Sequence, residues 1–174
     1  YYFIVCLNTI VMVHNSILSV LIDRIENRLL HLLEKFIGDV RHHYHEHGMI
    51  DEAIYDAIED SKYEMALHAA KMYEILTSTN VEDEIEAYND IAPNKYFRAF
   101  LSNCYIVQKF GDKTVDGQSM FLTNMNFIKQ EIQMEILKRS KLDYVFSSLS
   151  VIAIVPVFAL KPLERWGIAN MPEL

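Results

Sequence analysis

Two stretches without charge enclose one that is crowded with it, and this alternation constrains the chain more than any motif it contains. Residues 21 to 141 hold 35 of the 40 Asp, Glu, Lys and Arg side chains, while residues 1 to 20 and the run 144 to 160 hold none. Charged side chains keep a segment in water, whereas a long uncharged apolar run is driven into lipid or into a protein core. The expected organisation is therefore threefold: an apolar N-terminal segment (1–20), a cytoplasmic helical domain (21–141), and a membrane segment with the start of a following loop (142–174).

The second apolar run, YVFSSLSVIAIVPVFAL, has 17 residues, of which 13 are apolar. That is the short limit for a bilayer span, which needs roughly 17 to 25 residues. A buried core helix is the competing assignment, because serine and proline are tolerated in both settings. Lys138, Arg139 and Lys141 precede the run as a cytoplasmic flank would, and Lys161 and Arg165 follow it. The first run, YYFIVCLNTIVMV, is interrupted by Asn8 and Thr9 and has no initiator Met, basic flank or small-residue cleavage site. A secretory signal is not expected there, and the chain is expected to begin inside a longer protein. Its first residues read either as the end of a membrane helix or as an apolar helix of the domain.

Within 21–141 there are 21 acidic and 14 basic side chains, a net charge of −7. Phosphate backbones require a basic surface, so nucleic acid is not an expected partner. Cys6 and Cys104 are too few for a disulfide framework or a cysteine-rich zinc site, and they suit a reducing compartment.

Only five glycines and four prolines punctuate the sequence, and alternating strand-like pattern is scarce. The class is all-α: an antiparallel bundle of about six helices, the last continuing into the membrane segment. A first helix is expected over about Ile22 to Tyr44, with Ile25, Leu29, Leu32, Leu33, Phe36, Ile37 and Val40 on one stripe. Gly38 weakens that helix by roughly 1 kcal/mol relative to alanine. Gly48 ends it, and Asp51 opens a short second helix. Ser61 and Glu64 have the spacing of a capping box for a third helix reaching Leu76.

Asn80 caps a fourth helix with Glu82, Asp83 and Glu84 in its first turn, where the helix dipole favours negative charge, and Pro93 closes it. A fifth helix, about Asn94 to Phe110, turns Tyr96, Phe97, Phe100, Leu101, Cys104 and Val107 inward. GDKTVDG then reads as a turn, and no strong breaker lies between Gln118 and Pro156.

One cluster has metal-ligand character. RHHYHEH places His43 and His47 four residues apart, a spacing that lets two imidazoles on one helix face hold a zinc or nickel ion. Its neighbours His45 and His47 are two apart, so HEHGM is not the HExxH pattern of metalloproteases. No Gly-rich phosphate loop is present. Neither an enzymatic activity nor a cofactor is expected.

In order, the helix RIENRLLHLLEKFIGDV, the opening GMIDEAI, the segment KFGDKTVDGQSMFLTNM and the stretch KRSKLDYVFSSLSVIAIVPVFALKP resemble the F-type platform proteins of type II secretion, type IV pilus and Tad pilus systems. The resemblance covers roughly residues 24 to 174 and lies in pattern and order. That family's turn often carries an acidic residue before its glycine; here Phe110 precedes Gly111 and Asp112 follows it.

The resemblance implies a non-enzymatic membrane-platform scaffold at the cell membrane with its main domain cytoplasmic, self-associating, and coupling an assembly ATPase to pilin-like subunits. Glu82, Asp83 and Glu84, with Asp112 and Asp116 of the turn, are the expected partner contacts. The alternative from the histidines is a soluble helical metal-binding or sensory protein using the His42–His47 cluster.

Overall fold

Leu30, Leu33, Ile37, Val40 and Tyr44 recur at steps of three and four, which at 3.6 residues per turn places them along one side of a helix. The computed structural model describes the backbone of residues 2–170 and the side chains of 7, 10, 11, 14, 15, 17–145 and 149. Among these residues the chain forms six helices: α1 (Tyr2–His47), α2 (Ile50–Glu59), α3 (Tyr63–Thr77), α4 (Val81–Ile91), α5 (Lys95–Phe110) and α6 (Met120–Asn170). The only strands among the described residues form a hairpin, β1 (Thr114–Val115) against β2 (Gln118–Ser119), where a turn was expected. Asp116 and Gly117 both have positive φ, 51° and 78°, as a tight two-residue hairpin connection requires, and Asp-Gly is a pair that tolerates it.

The chain divides into two units, 1–136 and 137–174, with the boundary inside α6. In the first unit, the stripe of α1 packs against α2 and α3, and α5 lies against α2, α3 and α4. Phe36 of α1 meets Phe100 of α5 edge to face, with ring centroids 5.7 Å apart. The first part of α6 runs antiparallel to α1: Phe121 lies 4.5 Å from Tyr44 between centroids, and Gln133 donates to Glu34 at 2.7 Å. Gly38 does not interrupt α1; a side chain there would meet Lys129 Nζ on α6.

Every buried residue of the core is hydrophobic, and among the described residues no charged or strongly polar residue is buried. In the second unit, Leu137, Leu142, Tyr144, Val145 and Leu149 are exposed.

Several expectations are corrected. The core stripe of α1 begins at Leu30, and Ile25 is 61% exposed, because the helices that bury α1 cover only its C-terminal part. The capping box does not form: Lys62 is the cap of α3, Ser61 Oγ donates to the Ile58 carbonyl at 2.9 Å, and Glu64 pairs with Arg28 at 2.7 Å. The turn that ends α2 claims Ser61 first. Asn80 occupies the cap of α4 without a side-chain bond, whereas Asn94 Oδ1 accepts from the amides of Tyr96 and Phe97 on α5. Helix α6 passes Pro156, which removes one backbone donor but leaves the rest of the ladder intact.

Among the described residues no helix is long and apolar enough to cross a membrane. Most of the proposed membrane run 144–160, all of it beyond Leu149, lies outside the side chains described, as do the first six residues.

Candidate functional site

The sequence around Gly48 dictates a close antiparallel pair of helices. Gly48 takes a positive φ of 72°, which costs a glycine little, and its amide donates to the Tyr44 carbonyl at 2.8 Å. Met49 is extended, and α2 begins at once. A connection this short turns α2 back along the last turns of α1. Burial of Val40 and Tyr44 on one helix and of Ile50, Ala53, Ile54 and Ala57 on the other holds the pair together.

Beside that seam lie the histidines. His47 Nε2 is 3.2 Å from Asp56 Oδ2, and His43 Nε2 is 4.0 Å from Asp60 Oδ2. The two imidazoles lie nearly parallel, 8° apart in plane, with centroids 6.4 Å apart. One ligand atom each from His43, His47 and Asp56 fits within 4.8 Å of the other two. His43 and Asp56 are half-buried, while His47 is exposed. The other two histidines of the motif do not join this group. His42 reaches Glu46 one turn along its own helix, at 3.5 Å, and His45 faces solvent.

The sequence reasoning missed Asp56 and the meeting of Asp56 and Asp60 with the histidines. Asp56 on α2 and Asp60 at its C-cap stand four apart, as His43 and His47 do on α1, and the glycine turn between the two pairs was the available signal.

The residues expected to contact partners fall into two groups. Glu82, in the first turn of α4, accepts from Tyr105 Oη at 2.6 Å and from Lys109 Nζ, both on α5. Those two donors hold its carboxyl below the usual carboxylate range, and Glu82 in turn raises the Lys109 ammonium. Asp83 is exposed and Glu84 half-buried beside it.

Asp112 also serves the fold. Its Oδ1 accepts from the Phe121 amide at 3.0 Å, satisfying a donor in the first turn of α6, and its carboxylate also receives the Tyr44 hydroxyl. Burial, then the Asp112 charge and that hydrogen bond, raise the Tyr44 pKa. Asp116 is exposed at the hairpin tip. Glu82 is thus tied to the last turn of α5, one turn before the Gly111–Asp112 loop.

Compared with family models, with curated proteins and with solved structures, the chain matches none.

Proposed function

We propose that this chain is a non-enzymatic scaffold of a membrane platform, whose helical cytoplasmic domain couples an assembly ATPase to pilin-like subunits of a secretion or pilus machine. The observation that carries the reading is the N-terminal half of α1. Leu7, Ile10, Val11, Ile17, Leu18, Val20, Leu21, Ile22 and Ile25 are all exposed, and at 3.6 residues per turn they occupy more than half of the helix circumference. An exposed apolar surface of this extent marks a membrane or protein contact. At about 1.5 to 3 kcal/mol for each side chain fully removed from water, covering these half-exposed ones is worth on the order of 10 kcal/mol.

The order of helices, the paired glycine turns and the charge-free run 144–160 after Lys138, Arg139 and Lys141 support the platform reading. In this reading α6 continues into a membrane segment at 144–160, and 21–141 faces the cytoplasm. The acidic first turn of α4 supplies the ATPase contact, with Glu82 held in place by Tyr105 and Lys109. Self-association completes the platform.

Cell fractionation tests the anchoring. The chain should sediment with membranes and resist alkaline carbonate extraction; recovery in the soluble fraction would refute it. Reversing the charge of Glu82, Asp83 and Glu84 together should weaken binding to the cognate assembly ATPase. Unchanged binding removes that face from the account.

A further inference from the structure

We propose that His43, His47 and Asp56 form a binding site for a borderline divalent transition-metal ion, zinc or nickel, that fastens the end of α1 to α2. Asp60 stands next to it, 4.0 Å from His43. The inference goes beyond the scaffold reading and is independent of it.

Three features of the geometry carry it. The ligands come from two helices whose mutual placement is fixed by the buried seam of Val40, Tyr44, Ala53, Ile54 and Ala57, so the site is held by core packing. Bonds of about 2.0 to 2.1 Å in a tetrahedron put ligand atoms roughly 3.4 Å apart. His47 Nε2 and Asp56 Oδ2 already meet that spacing at 3.2 Å, and the whole set lies within 4.8 Å, so side-chain rotation alone closes the remainder. Asp60 Oδ2 lies 4.0 Å from His43 Nε2, next to this three-residue set.

The donor set also selects the ion. Two imidazoles with one or two carboxylates suit zinc, nickel or copper, whereas calcium and magnesium favour all-oxygen ligation. Two imidazoles and the Asp56 carboxylate offset part of the double positive charge, and the chain's net charge of −8 attracts cations. His47 is exposed, so an ion reaches the ligands directly from solvent. His42 and His45 are excluded because neither faces α2: one reaches Glu46 on α1 and the other faces solvent.

Calorimetric titration of the chelator-stripped full chain with zinc chloride at pH 7.5 tests the site. The expected result is one equivalent bound with Kd in the micromolar range or below. His43→Gln, His47→Ala and Asp56→Asn should each weaken binding by more than about tenfold. His42→Ala and His45→Ala should leave it within about threefold, since changes at uninvolved surface positions are worth about 0.5 kcal/mol or less.

Circular dichroism of each variant checks the fold, and His47→Gln stands in for any that unfolds. Absence of saturable binding would overturn the proposal. So would equal losses from His42 or His45, which would mean scattered surface chelation, and so would retention of full affinity in Asp56→Asn, which would leave α1 alone as the ligand.

Discussion

Replacing Phe100 with alanine tests whether α5 holds the helical domain together from within. Phe100 is wholly buried and meets Phe36 of α1 edge to face at 5.7 Å. Truncation returns roughly 100 Å² of apolar surface to the balance, about 2.5 kcal/mol at about 25 cal/mol per Å². The hole left in an incompletely collapsing core adds to this, so the expected loss lies in the range of about 3 to 5 kcal/mol found for buried phenylalanines.

Edge-to-face pairing contributes about 0.5 to 1.5 kcal/mol of that, which a double-mutant cycle of Phe36→Leu and Phe100→Leu should show as coupling. For a chain of 174 residues, roughly 3 °C per kcal/mol predicts a fall in Tm of about 10 °C or more. Urea unfolding followed by circular dichroism measures the free energy, and thermal melts measure the shift. Phe110→Ala is the control, because Phe110 is 67% exposed and its removal should stay within about 0.5 kcal/mol. A loss at Phe100 no larger than at Phe110 would refute the packing described.

Tyr88 is 3% exposed and its hydroxyl has no hydrogen-bond partner among the described residues; burial pushes its pKa up to about 12. Tyr88→Phe should leave stability unchanged or raise it by about 1 kcal/mol, measured by urea unfolding, since an unsatisfied buried hydroxyl is a cost. Burial against Phe97, with centroids 5.1 Å apart, lowers the His68 pKa. The unfolded chain then binds more protons in acid than the folded one, so stability present above about pH 6.5 should decline as pH falls through the lower folded value. His68→Phe should flatten the acid limb of the Tm-against-pH curve, and an unchanged limb would disprove the assignment. Cys104 is wholly buried and its thiol is raised well above its ordinary range by that burial. In a Cys6→Ser background it should react with an aromatic disulfide reagent only at the rate of unfolding, and labelling within seconds would contradict its placement.

Much of the architecture could be read from periodicity. Leu33, Phe36, Ile37 and Val40 on α1, and Phe97, Phe100 and Leu101 on α5, lie where apolar spacing put them, because helices this amphipathic have one face to hide. What escaped the reading depends on tertiary competition. Ile25 fits the stripe of α1 as well as Leu33 does, but no helix covers it.

Ser61 and Glu64 have capping-box spacing, yet the end of α2 and Arg28 take their polar atoms. His43 and His47 were legible as a pair on one helix face, whereas Asp56 joins them only once α2 folds back at Gly48. Asp112 has a further role that spacing did not show: folding gives it the Phe121 amide and the Tyr44 hydroxyl.

The central claim, a helical domain anchored through its charge-free ends, is tested most directly by protease mapping of the full chain reconstituted in phospholipid vesicles. Proteinase K should cut first in the exposed connections at 48–49, 78–80 and 111–117. Peptides covering 1–20 and 144–160 should stay intact with the lipid. Cleavage within both of those segments at the rate seen for the connections, or a chain that remains in the supernatant when the vesicles are pelleted, would contradict it.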